Sequence, residues 1–338
     1  MKNYISACGF PLQKIGDIPV PRLILGHLPF VGESYQGSAK NREYITRFSD
    51  TQNTVKILRI AVEKYGLTVT AAGVSPNSQL TSLFLEAIRE IERLADTEIA
   101  VIPCIQIPLT IHGKSVDTYR RWLTYYEIER QIVGDMILDK YLEDPVLQCR
   151  RGWKAKFKET LHHSKPYGRR ELKDLQIDFE SLESETTILE DFKILFAELG
   201  SETDFLAITD RLDLLETLVD SLRNRYGDRV LLGVHHAGVT IPKLENSEIK
   251  FDGYVTPINS MGVMMFPNRD SAEEAIRAAK KPIIAIKPLA GGRIKPEEAL
   301  EHVYKEMGID LCMIGVGSER EAEEDFSIAH KILKKHKE

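Results

Sequence analysis

Eight short apolar runs, set apart by amphipathic segments, constrain this chain more than any other feature of its sequence. They are LILGH (23–27), LTVTAAG (67–73), IAVIPCIQ (99–106), DFLAITD (204–210), VLLGVHH (230–236), DGYVTP (252–257), IIAIK (283–287) and LCMIGVG (311–317). Most are continuously apolar rather than alternating, the pattern of strands buried on both faces of a parallel sheet. Helical stripes separate them: Val55, Leu58, Ala61, Val62 and Tyr65 recur at helical spacing within 54–66, and 80–95, 212–227, 271–280, 295–308 and 319–336 behave alike. Between the fifth and sixth runs TIPKLENSE reads only as a turn or one helical turn. Eight strand–helix units in order predict an α/β fold, a (β/α)8 TIM barrel.

One connection breaks that rhythm. Between the third run and the fourth lie a long predicted helix (115–144), a basic stretch (149–174) and an acidic, mostly helical piece (178–200). The expected organisation is barrel strands 1–3 in residues 1–106, a mostly helical insertion subdomain in 107–200 and barrel strands 4–8 in 201–338. The basic stretch carries nine Lys/Arg against three acids. Because the insertion leaves the C-terminal end of a strand, where barrels keep their active sites, Arg150, Arg151, Arg169 and Arg170 are candidates to meet an anionic substrate. A solvated decoration or a homo-oligomer contact is the other use of such a segment.

Composition narrows the function classes. The 338 residues are 43% apolar and 28% charged with a formal net charge of −6, which disfavours a nucleic-acid binder. No apolar run approaches the ~20 residues that span a bilayer. The N-terminal stretch MKNYISACGFPLQKIGD lacks the apolar core of a secretory signal, and a cytoplasmic location is expected. The four cysteines form no CxxC pair, and no metal is expected.

The strand ends supply the candidate site. Catalytic candidates are His27, Gln106, Asp210, His235 and Lys287. Lys287 closes a strand of Ile and Ala and can form a Schiff base or pair with a carboxylate, with Asp210 as candidate partner. His235 and His236 are adjacent, so on a strand they would point to opposite sides. The turn Leu289-Ala290-Gly291-Gly292 and the turn Gly315-Val316-Gly317-Ser318 together suggest an anion site at the last two loops, where glycine lets backbone approach a ligand and helix amides favour negative charge. Ser318 with Glu321 three residues on also reads as a helix cap.

At this point a family pattern emerges. GDRVLLGVHHAG, FDGYVTPINS, KKPIIAIKPLAGGRIKPEEAL and LCMIGVGSEREAEEDF resemble strands five to eight of aldo/keto reductases, and DFLAITDRLDLLETLVDSLRNRYG resembles their strand four and its helix. IPVPRLILGHLPFVGESYQG resembles their first strand and loop, so the likeness spans about two thirds of the chain and omits the insertion. It implies an NADP(H)- or NAD(H)-linked carbonyl reductase, with His236, Asn259, Leu289, Gly291, Gly292, Gly317 and Ser318 toward the cofactor. The family's catalytic set is missing: Thr70 stands near its aspartate, Ser75 near its tyrosine, Gln106 in place of its lysine, and Thr209 or Asp210 in place of its histidine. The expectation is therefore a diverged barrel binding a phosphate-bearing ligand and a small anionic substrate, with NADP or NAD as cofactor and a non-standard acid. Two alternatives stand beside it: a lyase or isomerase on a phosphorylated metabolite, and a non-catalytic partner-binding barrel.

Overall fold

The structure, a computed structural model, describes residues 8–75 and 77–335. Part of the N-terminal stretch read for targeting, and the last residue of the expected final helix, lie outside these. Eight parallel strands close a barrel: β1 (Leu23–Gly26), β2 (Val69–Gly73), β3 (Ala100–Ile105), β4 (Ala197–Leu199), β5 (Val230–Gly233), β6 (Gly253–Pro257), β7 (Ile283–Ile286) and β8 (Leu311–Gly315). The circuit is completed by Leu199 opposite Ile105 and by Cys312 opposite Leu23.

Two apolar layers hold it. Ile24, Val69, Ala71, Ile102, Val255 and Ile284 fill the barrel interior. The hairpin Leu12–Ile15 with Ile18–Pro21 adds Ile15 and Val20 to the same cluster and so closes the N-terminal face. The opposite strand faces pack outward against the helices. Only the C-terminal end is left open for chemistry.

The fourth unit differs from expectation. DFLAITD is not a strand: residues Glu202–Ile208 form a short helix whose six residues from Thr203 to Ile208 are all buried. A helix sealed on every side shows an unbroken apolar run just as a buried strand does. The true β4 begins seven residues earlier, at Ala197 rather than Asp204, inside the stretch assigned to the insertion. It continues from a short strand, Lys193–Ile194, that already pairs with β3. The connection after β5 is also corrected, since Ala237–Glu245 is a full helix that accommodates Pro242.

The insertion is helical but not wholly so. Its long helix, Thr118–Val133, stops at Gly134 (φ 75°) and resumes as Ile137–Glu143, followed by Trp153–His163. A three-stranded antiparallel sheet of Leu109–Ile111, Lys114–Ser115 and Leu175–Ile177 closes its base. The segment is fastened to the barrel by a buried polar cluster. Glu129 accepts from Tyr141 Oη and lies 2.7 Å from His236 Nδ1. Both Glu129 and Tyr141 are 0% exposed and His236 is 1% exposed. Asp204, on the short helix, accepts from the amides of His235 and His236 and from Thr240 Oγ1. Burial opposes the charge on His236, but the Glu129 carboxylate outweighs it and holds the imidazole above its ordinary value.

Candidate active site

A cavity of about 1060 Å³ opens at the C-terminal mouth. Lys287 stands at its centre. The last residue of β7 is Ile286, and Lys287 leaves the strand in the left-handed region (φ 55°), a conformation that costs a side-chain-bearing residue ~1–2 kcal/mol. That twist puts Nζ 3.0 Å from His235 Nε2 and 5.0 Å above the Tyr35 ring. Such strain persists only where the surroundings impose it, and it gathers at functional sites.

Four other groups respond to that charge. His27 follows β1; burial, then the Lys287 charge, lowers it to about 4. His235 is held well below its ordinary value for the same two reasons. Both imidazoles are therefore neutral at neutral pH. Glu198 of β4 is 6% exposed, and burial pushes its carboxyl up to about 7 against the downward pull of Lys287. Cys104 of β3 is raised by burial, with Glu198 adding to it and Lys287 opposing. His235 Nδ1 is buried and has no hydrogen-bond partner among the described residues.

The insertion contributes cations to the same cavity. Arg121 pairs with Glu202 at 2.6 Å, while its Nε is buried without a partner among the described residues. Arg150 lies over the rings of Trp122 and Trp153, at 5.2 and 5.6 Å, and its own charge is disfavoured first by burial and then by Arg121. A guanidinium held over aromatic rings keeps its N–H donors free for a planar anion. Arg151, Arg169 and Arg170 do not line the cavity.

The structure thus brings together His27, Gln106, His235 and Lys287, and separates Asp210 from them. Asp210 is exposed, sits past the short buried helix and pairs with Lys243 at 2.6 Å. With β4 relocated, Glu198 and not Asp210 is the carboxylate facing Lys287. Asn259 is likewise drawn away: its side chain accepts from Val263 N and donates to Val263 O, pinning its own loop. His236 borders the cavity but is engaged by Glu129. Thr70 is buried, with its hydroxyl bonded to Leu25 O and Ala71 O, whereas Ser75 lines the cavity.

The turns expected to cradle an anion are packed closely by side chains of the chain itself. Leu289, Gly291 and Gly292 line the cavity, but a Cβ on Gly291 would stand 2.7 Å from Arg293 Nη1 and 2.9 Å from Tyr35 Cβ. One on Gly292 would stand 2.9 Å from the Gln36 amide. At Gly317 a Cβ would run into the Tyr44 ring at 2.4 Å, and the Gly317 amide donates to Glu321 Oε2 at 2.7 Å. Ser318 Oγ accepts from Glu321 N at 3.2 Å and is a cap, not a lining residue. Of these amides, that of Gly317 is taken by Glu321, and Tyr35, Gln36 and Tyr44 pack close against the three glycines. Among the described residues no group of His, Cys, Asp and Glu could hold a metal ion, and no helix is long and apolar enough to cross a membrane.

Sequence reasoning missed Glu198, Arg121, Cys104 and Glu129. One signal was present for the first: ILFAELG is an apolar run ending in glycine with a single carboxylate inside it, just ahead of the run read as strand four.

Two solved structures from Pseudomonas aeruginosa assigned as aldo-keto reductases are similar to this chain. One shares 15% identity at a TM-score of 0.53, covering 95% of this chain and 96% of that one. The other shares 14% at 0.52, covering 96% and 94%. A silkworm (Bombyx mori) aldo-keto reductase solved in complex with NADP shares 9% at a TM-score of 0.45, covering 96% and 92%. No protein-family model matches the sequence, and no curated protein matches it. At such identities the likeness is one of fold: the chain is an aldo-keto reductase-like TIM barrel.

Proposed function

We propose that this barrel is an enzyme of acid–base carbonyl chemistry, a lyase or isomerase that moves a proton next to the carbonyl of a small anionic substrate. The observation that carries this reading is Lys287 itself, held in a strained backbone conformation as the hub of His27, His235, Glu198 and Cys104 inside one cavity. In this reading Arg150 and Arg121 hold the substrate's carboxylate or phosphate at the insertion side. The Lys287 ammonium faces the carbonyl oxygen and stabilises the negative charge that develops there. Glu198, titrating at about 7, gives or takes the proton near neutral pH, where a general acid–base group is most effective. His235 accepts a hydrogen bond from Lys287 and orients it.

Exchange of the proton beside the carbonyl tests this directly. A panel of 2-oxo acids and phosphorylated ketoses is incubated with the protein in deuterated water and followed by NMR. The expected result is enzyme-dependent exchange that disappears in Lys287→Met and Glu198→Gln, with no borohydride-trapped adduct at Lys287. Absence of exchange across the panel, together with consumption of NADPH, would sink the proposal.

The reductase reading is second. The aldo-keto reductase-like fold and the length of the cavity, from His27 to the β8 helix, favour it. The filled turns at Gly291, Gly292 and Gly317 oppose it, because a dinucleotide's phosphates would have to displace Glu321 and the Tyr35–Gln36 loop.

A further inference from the structure

The cavity has a second arm, running from the mouth between the loop after β1 and the helix Glu319–Lys335 that follows β8. Its far wall is acidic. Glu321, Glu324 and Asp325 all line it, spaced three and four apart so that they share one helical face. Like charges at that spacing repel. The helix N-terminus accounts for Glu321, whose carboxylate takes the Gly317 amide. It does not account for Asp325, which lies beyond the first turn, where the dipole no longer helps.

Asp325 is the independent sign of a ligand. It is 4% exposed, lines the arm, and its carboxylate makes no hydrogen bond or ion pair with any described residue, so that it faces the cavity alone. Burial first, then Glu321 and Glu324, push its carboxyl up to about 7, so the fold holds it at a cost. Buried carboxylates ordinarily have partners. The cations nearby do not serve. Lys40 is engaged with Glu43 at 2.9 Å and lies over the Tyr44 ring. Arg47 donates to Gly317 O and to Glu43. Lys295 lines the arm but is exposed.

We infer that this arm is a binding subsite for a cationic nitrogen group, a protonated amine or guanidinium, which enters between Glu324 and Asp325. It stands independently of the chemistry assigned to the mouth. A ligand reaching both ends would be bipolar, with its anionic part at Arg121 and Arg150 and its ammonium at Asp325. The same wall excludes a phosphate from this arm by charge.

Calorimetric titration of the full chain with spermidine, inorganic pyrophosphate and NADP+ tests the inference. Spermidine is expected to bind and pyrophosphate not to. Asp325→Asn keeps shape and removes the charge. It is expected to weaken spermidine roughly tenfold, the loss of one charge-assisted contact, while raising the melting temperature because an unpaired buried charge is gone. Lys295→Met is expected to leave spermidine binding equal or tighter. Unchanged spermidine affinity in Asp325→Asn would overturn the inference. So would spermidine binding that requires Lys295→Met, which would identify Lys295 as the natural partner of Asp325. Tight NADP+ binding that pyrophosphate competes away would overturn it as well. Deuterium exchange at the mouth can succeed or fail without altering any of these readouts.

Discussion

The two ends of the cavity differ in how their charges are partnered. At the barrel mouth, Lys287, Arg121 and Arg150 face two neutral imidazoles and one carboxyl that titrates at about 7. At the β8 end, Glu321, Glu324 and Asp325 face no cation that is committed to them. The end whose glycine turns most resembled a phosphate cradle is the one whose helix wall carries Glu321, Glu324 and Asp325. Glycine in a turn reports a backbone that must bend or come close to something; here that something is the chain's own Tyr35, Gln36 and Tyr44.

The comparison breaks most completely if the cationic end loses its mount. Arg121 rides on the helix Thr118–Val133, and Glu129 of that helix is clamped to His236 of the barrel. Removing one partner of a buried ion pair strands the other, at about 3–5 kcal/mol. Glu129→Ala is expected to lose that much in urea unfolding and to lose anion binding at the mouth, while spermidine binding at the acidic arm persists in the folded fraction. A loss below about 1 kcal/mol would show that the insertion is not held this way.

The second effect separates the buried carboxyl from its surroundings. Glu198 titrates near its ordinary value of 4.5 when unfolded and at about 7 when folded. Below the lower value both states hold the proton. Between the two only the folded state does, so stability contributed by this group is lost as pH rises through that window. Glu198→Gln removes the dependence. The variant is expected to gain on the parent by up to about 3 kcal/mol between the bottom and top of the window, read from paired urea midpoints. His27, lowered to about 4, has the opposite sign: its cost appears as pH falls from 6.5. Taking the difference against Glu198→Gln at each pH isolates the carboxyl.

Much of this was legible in the sequence. Seven of the eight strands and the barrel followed from continuous apolar runs, because a strand buried on both faces has no polar side to show. β4 was displaced because a fully buried short helix gives the same signal and its turn chemistry is weak. The error carried through: with strand four misplaced, Asp210 stood at the mouth and Glu198 was hidden in a segment read as insertion. His27, His235 and Lys287 were found because strand ends in a barrel converge, whatever their loops do. Arg121 and Arg150 reach the mouth, and Glu129 reaches His236, only through the packing of the insertion, which no local pattern encodes. Arg150 was named among four arginines, and nothing in the spacing separated it from the other three.

A smaller effect tests whether the stacked arginine is a ligand group or a surface decoration. The Arg150 guanidinium makes no hydrogen bond or ion pair among the described residues and lies over the rings of Trp122 and Trp153. Arg150→Lys keeps the charge and loses the planar fork; Arg150→Ala loses both. Oxalate and phosphate binding, followed by calorimetry, are expected to weaken about tenfold or more in the alanine variant and partly in the lysine variant, in line with ~1.5–3 kcal/mol for a charged hydrogen bond. Equal affinity in all three proteins would leave the mouth without its anion subsite.

The smallest effect bears on why Lys287 is where it is. Two residues of one loop, Lys287 (φ 55°) and Ala290 (φ 48°), share the left-handed conformation, but only Lys287 brings a charge into the cavity. Asparagine tolerates that backbone region better than lysine, and glycine better than alanine. Lys287→Asn and Ala290→Gly are therefore each expected to gain about 0.5–1 kcal/mol in urea unfolding. Their functional outcomes should part: Ala290→Gly keeps proton exchange at the mouth and Lys287→Asn abolishes it, while the His27 and His235 imidazoles rise toward ordinary values as the neighbouring ammonium disappears. A stabilised, inactive Lys287→Asn beside a stabilised, active Ala290→Gly would mean that the strain at position 287 is kept for the charge it places. If both variants lost stability, the loop's left-handed turns would be favourable in this fold, and the strain could no longer be read as a mark of function.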